Sequence, residues 1–181
     1  MGATAYDIVK RNVPVLAPGS FTLQQAGQQS SRGVELAASA ALSDSLRISG
    51  NIAKTEARFD DFTFLDFNTF SWVDYAGNVP ILVPETSANL WASWDFAPDW
   101  TAHLGVQFVG KAWYDYANTA KRDSFTLVNA GIDWRLRESS TLSLRVTNLF
   151  DKSYAAYLYP EKGQVVLGAP RRFELQLTSK F

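Results

Sequence analysis

Apolar and polar side chains alternate along most of this chain, and no other feature constrains its fold as strongly, because a period of two aims successive residues at opposite faces of a sheet. From Val34 the apolar set is Val34, Leu36, Ala38, Ala40 and Leu42, set against Glu35, Ala37, Ser39 and Ala41. After Ser43-Asp44-Ser45 the alternation resumes as Leu46, Ile48, Gly50 and Ile52 opposite Arg47, Ser49, Asn51 and Ala53. A second pair runs from Leu90 to Phe96 and, after Ala97-Pro98-Asp99, from Trp100 to Phe108; a third runs from Val128 to Leu136 and, after Arg137 to Ser140, from Leu142 to Thr147. Arg172 to Phe181 forms a last strand, while Ala3 to Val13 and Ser20 to Gln28 are weaker candidates at the start. The reading is an all-β chain of about nine antiparallel strands in up-and-down order.

The connections point to the kind of sheet. Tight turns at 43–45, 97–99 and 137–140 alternate with long connections at about 59–84, 112–123 and 151–164. Outer-membrane barrels segregate short periplasmic turns from long external loops in this way, whereas a soluble sandwich has less reason to do so. Nine residues from Trp100 to Phe108, rising about 3.3 Å each at about 45° tilt, cover roughly 20 Å, near the height of an outer-membrane apolar band. Aromatics fall at both expected borders, with Phe96, Trp100 and Phe181 at the short-turn end and Phe108, Phe125, Phe150 and Phe173 toward the long loops. A β-sandwich whose rings are simply core accounts for the same alternation.

Composition removes most other functions. Seventeen Lys+Arg against eighteen Asp+Glu give a formal net charge of -1, so no basic excess invites nucleic acid. There is no cysteine and one histidine, which excludes thiolate or multi-histidine metal sites and thiol nucleophiles within the chain. No metal site is expected: the Asp60-Asp61 pair lacks the oxygen spacing of a calcium loop, and solvated loop charge explains it. Ser, His and Asp form no nucleophile elbow, and no glycine pattern cradles phosphate, so no enzyme is expected. Apolar runs are too short for a spanning helix, and the first twenty residues, with Asp7, Lys10, Arg11 and Pro14, do not form a signal peptide.

Asn148-Leu149-Phe150-Asp151-Lys152-Ser153-Tyr154, then Gly168-Ala169-Pro170-Arg171-Arg172-Phe173 and a terminal alternating strand, resemble the carboxy-terminal end of TonB-dependent outer-membrane receptors. Ser31 to Leu36, Val83 to Trp91, Val109-Gly110-Lys111 and Asn118-Thr119 fit the siderophore-receptor branch of that family. The resemblance runs from about Tyr6 to Phe181. It implies residence in the bacterial outer membrane and TonB-dependent uptake of a ferric siderophore, which is transported ligand; no cofactor bound by the chain itself is expected. Its implied partners are outer-membrane lipid, an amino-terminal plug, the remaining barrel strands, TonB acting through the plug, and the barrel-assembly machinery. Such transporters have 22 strands around a plugged lumen, so residues 1–181 are expected to be the carboxy-terminal part of a receptor barrel without its plug.

Within that frame the external loops offer Trp72, Tyr75, Tyr114, Tyr116, Tyr157 and Tyr159 as ligand contacts, although rings in a long loop also serve to pack it on itself. Arg47, His103, Gln107, Arg145, Glu174 and Lys180 share the polar face and are expected toward the lumen, where a lone histidine usually joins a hydrogen-bond network. Phe173, Leu175, Leu177 and Phe181 resemble the assembly signal of barrel proteins, and Asn148 to Tyr154 reads as turn chemistry at the outer rim. The alternatives are a small soluble or self-completing β-barrel binding an apolar or aromatic ligand, and a barrel completed from two copies. Catecholate, hydroxamate and citrate complexes of iron all stay open as cargo.

Overall fold

The computed structural model describes residues 1–16, 22–66, 69–159 and 164–180. Among them there are fourteen strands and no helix: β1 Gly2–Leu16, β2 Leu23–Ala41, β3 Leu46–Asp61, β4 Thr63–Asp66, β5 Ser71–Asp74, β6 Thr86–Ala97, β7 Trp100–Val109, β8 Ala112–Trp113, β9 Lys121–Arg122, β10 Phe125–Arg137, β11 Ser140–Thr147, β12 Ala155–Tyr159, β13 Gln164–Leu167 and β14 Arg172–Ser179. Eight of these make one antiparallel sheet in the order β1-β2-β3-β6-β7-β10-β11-β14. The other six form three two-stranded hairpins, β4-β5, β8-β9 and β12-β13, one inside each long connection.

The main sheet therefore has eight strands, because Ser20 to Gln28 and the stretch from Val34 are parts of the single strand β2; Ser20 and Phe21 lie outside the described residues. Within β2, Gly33 is paired between Tyr6 and Thr55. Its missing side chain makes room for the Tyr6 ring, whose hydroxyl lies 2.8 Å from Thr55 Oγ1. The sheet is open, with β1 and β14 as its edges, so the described strands do not make the self-completing barrel that was one expectation.

The short turns are fixed by local chemistry. Ser43 Oγ accepts the Ser45 and Leu46 amides at 3.3 and 3.1 Å, an arrangement that satisfies backbone donors a turn leaves free. Each turn is then stitched to its neighbour: Asp95 N–H donates to Ser45 O, Arg135 N–H to Asp99 O and Lys180 N–H to Ser139 O, at 2.8 to 2.9 Å.

Register sorts the side chains as the alternation requires. Leu36, Ile52, Leu90, Leu104, Leu144 and Leu175 stand on one face and remain exposed. On β2 and β3 this apolar face ends at the ion pair Arg32 Nη2 to Glu56 Oε2, 2.8 Å. From Val34 to Leu42 the apolar band spans roughly 20 Å after tilt. At its short-turn border the rings meet in a row, Trp94 with Phe96 at 5.7 Å, Phe96 with Trp100 at 6.4 Å and Trp100 stacked on Trp134 at 5.0 Å. Such rings are half apolar and half able to meet water, which suits a membrane border. Phe125, expected in the opposite girdle, departs from it: it shares the face of Asn129 and Asp133 and stacks on Tyr154 at 4.4 Å. Phe181 lies outside the described residues.

A single-layer sheet of this kind has no core between layers. The buried apolar cluster lies instead at the long-loop end, where Val15, Phe59, Phe62 and Tyr75 pack with Val13, Phe64, Val73 and Tyr116.

Candidate binding site at the long-loop end and on the polar face

Two places gather the side chains that could meet a ligand. The first is the long-loop end. Phe59 stacks on Phe62 at 4.1 Å, and the Tyr116 ring lies 4.9 Å from Phe62, 5.3 Å from Phe64 and 5.9 Å from Tyr75. Pairs of this geometry add about 0.5–1.5 kcal/mol each beyond burial. Tyr116 belongs to the connection after β7, while Phe59, Phe62, Phe64 and Tyr75 belong to β3 and the connection between β3 and β6, so the cluster ties two connections together. Polar bonds reinforce the tie. Asn118, at a left-handed φ of 57°, accepts the Val79 amide at 2.8 Å and donates to the Val79 carbonyl at 2.9 Å, and Asn78 Nδ2 donates to Tyr116 O at 2.8 Å. Asn tolerates that conformation better than most residues. Asp115 caps the same turn by accepting the Thr119 and Ala120 amides.

The structure therefore brings Tyr75 and Tyr116 together in the packed cluster, with Tyr75 only 8% exposed. Tyr114 is also buried; its hydroxyl has no hydrogen-bond partner among the described residues, and burial pushes its phenol above the ordinary value while the Arg122 cation pulls the other way. Trp72 is half-buried on β5 opposite Leu65. Tyr157 and Tyr159 form a second group on β12, their rings 4.5 Å apart and Tyr159 the more exposed. That hairpin hangs from a built base: Tyr154 lies over Gly168, and Asn148 donates to the Lys152 and Ala169 carbonyls while accepting the Lys152 amide.

The second place is the polar face of the main sheet. Arg47 Nη2 pairs with Asp95 Oδ2 at 2.9 Å, and Thr101 Oγ1 donates to Asp95 Oδ1 at 2.7 Å. Two strands on, His103 Nε2 lies 2.8 Å from Asp133 Oδ2, and Arg145 Nη1 lies 2.6 Å from Asp133 Oδ1. Gln107 shares this face between Asn89 and Leu127. Glu174 stands opposite Arg145 in register, yet its ion pair is with Arg172 at 3.4 Å. Lys180 follows β14 and is held by its amide. Asp95, Asp133 and Trp91 belong to the same surface, although sequence reasoning assigns them no function. Their signal is their phase: each falls on the polar beat of an otherwise apolar alternation. Phe173, Leu175 and Leu177 stand exposed on the edge strand β14. Among the described residues no group of three or more histidine, aspartate or glutamate side chains converges as a metal centre would.

One apolar face, one ion-paired face, a nearest-neighbour antiparallel meander and segregated turns define a section of transmembrane β-barrel wall. Residues 1–149 match the family model "TonB dependent receptor-like, beta-barrel", and the chain belongs to the TonB-dependent receptor family. The ferrichrome outer membrane transporter/phage receptor of Escherichia coli K12 is 32% identical over 97% of this chain, which covers 23% of that relative. The ferrioxamine receptor of Yersinia enterocolitica is 30% identical over 87% of the chain and 22% of its own length. Among solved structures, the siderophore receptor PiuA of Acinetobacter baumannii superposes with a TM-score of 0.82 at 23% identity, over 99% of this chain and 26% of that one. The chain thus spans about a quarter of the relatives it matches. The family is one of receptors and transporters, not of enzymes.

Proposed function

We propose that this chain is a wall segment of an outer-membrane receptor that takes up a ferric siderophore with energy delivered through TonB. The observation that carries this reading is the division of the main sheet. Leu36, Ile52, Leu90, Leu104, Leu144 and Leu175 present one apolar face suited to lipid, and the pairs Arg47 with Asp95 and Asp133 with His103 and Arg145 present the other, suited to a wet lumen. Reversing the faces would set those charges in hydrocarbon at about 2–4 kcal/mol for each cation near the midplane. The relatives, named as ferrichrome and ferrioxamine receptors, support iron-siderophore cargo.

In this reading residues 1–181 form one section of the barrel wall, and the plug is none of them. Arg47, His103, Gln107, Arg145, Glu174 and Lys180 then face the plug, and Trp72, Tyr75, Tyr114, Tyr116, Tyr157 and Tyr159 belong to the loops around the entrance. Phe173, Leu175 and Leu177, with Phe181 beyond them in the sequence, make up the signal read by the assembly machinery.

The absence of cysteine makes the orientation testable, since each substitution introduces the sole thiol. With the chain in lipid bilayers, a charged maleimide is expected to modify Gln107→Cys at least about tenfold faster than Leu104→Cys, because thiol reactivity follows exposure. Equal rates would sink the assignment of faces. The cargo is tested by disrupting the gene across these residues and scoring iron-limited growth on ferric hydroxamates, catecholates and citrate; loss on at least one is expected, and unchanged growth on all refutes siderophore uptake.

A further inference from the structure

The hairpin β8-β9, in the connection after β7, turns its two faces to different surroundings. Ala112 pairs with Arg122 in register and the Tyr114 amide donates to Ala120 O, so Ala112, Tyr114 and Arg122 share one face, with Tyr114 and Arg122 as diagonal neighbours. That face is closed: Ala112 is 2%, Tyr114 5% and Arg122 9% exposed. The other face carries Lys121 over the Trp113 ring at 4.0 Å.

Arg122 is a buried cation without a counterion. Its Nη2 donates to Gly110 O at 3.2 Å, and its guanidinium carbon lies 5.1 Å from the centre of the Phe125 ring, which is itself stacked on Tyr154. Among the described residues it forms no ion pair with a carboxylate. The acids nearest in sequence are placed otherwise: Asp123 is exposed, and Asp115 accepts the Thr119 and Ala120 amides. Arg122 Nε is shut off from solvent with no hydrogen-bond partner among the described residues, and Tyr114 Oη is in the same condition. Burial raises the Tyr114 phenol and the Arg122 cation opposes it, which marks the two as electrostatic neighbours. A guanidinium does not lose its proton in a protein, so Arg122 cannot relieve its burial by becoming neutral. Two orphaned donors and a stranded positive charge lack one kind of partner, an anion. A water molecule would satisfy the donors and leave the charge.

We propose that the closed face of β8-β9 holds a small inorganic anion of about the size of chloride, which accepts from Arg122 Nε and Tyr114 Oη. Enclosure sets the size, because the chain itself shuts both atoms off. The anion is structural: it neutralises Arg122 and fastens the hairpin to Gly110 and Phe125 at the ends of β7 and β10. The site depends neither on an open lumen nor on the nature of the cargo.

Chloride is the probe, with gluconate, too large for the closed face, as the reference anion at equal ionic strength. With the full chain in detergent micelles, hydrogen exchange across residues 110–125, followed by mass spectrometry, is expected to slow saturably by at least about tenfold as chloride replaces gluconate, while peptides from β2 and β3 keep their rates. Tyr114→Phe is expected to raise the chloride midpoint about tenfold and to leave exchange in gluconate as in the wild type, since without the anion the hydroxyl has no partner to lose. Arg122→Met is expected to abolish the chloride response, because it leaves no charge to neutralise. If that variant unfolds the hairpin, Tyr114→Phe still decides. Equal exchange of the wild-type chain in chloride and gluconate, as a bound water would give, overturns the proposal, and so does an unchanged midpoint in Tyr114→Phe or a chloride response that survives in Arg122→Met.

Discussion

Single side chains hold the rim of this sheet, and Asn148 is one of the most heavily used of them. It is 4% exposed, sits at a φ of 51°, donates twice through Nδ2 and accepts the Lys152 amide through Oδ1. Asn148→Ala removes these bonds and leaves the Lys152 and Ala169 carbonyls without their donor, so a loss of about 2–4 kcal/mol is expected in denaturant titration. Asn148→Asp is expected to do at least as badly, because it retains the acceptor, loses both donors and sets a negative charge against two carbonyls. Gly33 makes a contrasting case to Gly105. A Cβ at Gly33 meets the Lys54 carbonyl as well as the Tyr6 ring, while one at Gly105 meets only a side chain. Gly33→Ala is therefore expected to destabilise more, by about 1–3 kcal/mol, since backbone moves less readily than an indole. The turn chemistry of Asn148 was legible in the sequence, where Asn and Asp bracket a strand end. The role of Gly33 was not, because it depends on a tyrosine 27 positions earlier in register with it.

At the scale of elements, the connections after β3 and after β7 behave as one body. Asn118→Ala deletes both bonds to Val79 and the bond to the Asp115 carbonyl, all of them within the two connections, so hydrogen exchange at the Val79 amide is expected to accelerate while the main sheet keeps its protection. Tyr114 adds a pH dependence whose sign is fixed by its environment. Its phenol is held above the ordinary value of 10.0, so the folded loop keeps the proton that the unfolded loop loses from about pH 10 upward. Loop protection should be flat below about pH 10 and fall above it. Tyr114→Phe should abolish the fall without loss of stability at neutral pH, since the hydroxyl has no partner among the described residues to lose. The long loops were visible in the sequence as breaks in alternation, but their hairpins and mutual staples were not. Two-residue strands such as β8 and β9 are too short for a period to register, and Asn118 to Val79 is a contact across 39 positions.

Across the main sheet, the alternation supplied the strands and their two faces, and the order follows because each strand pairs with the one that precedes it in that sheet; short turns set the register of three of the seven pairings, β2-β3, β6-β7 and β10-β11. The ion pairs of the polar face were half legible. Arg47, His103 and Arg145 stood out as polar residues on the polar beat, yet their partners Asp95 and Asp133 sit inside strands traced by their apolar residues. Double substitution Arg145→Met with Asp133→Leu removes the pair together and is expected to cost less than Asp133→Leu alone, which strands the Arg145 cation; comparing denaturation midpoints checks it.

Nearest-neighbour pairing also has a consequence for how such a wall comes into being. Each new strand needs only its predecessor, so closure of the intervening chain costs little more for a long loop than for a short one, growing as the logarithm of length. The sheet can therefore lengthen hairpin by hairpin from either end. At every stage the growing boundary is the strand laid down last, and in this chain the sequence of additions from the first residue leaves β14 as the template for any further strand.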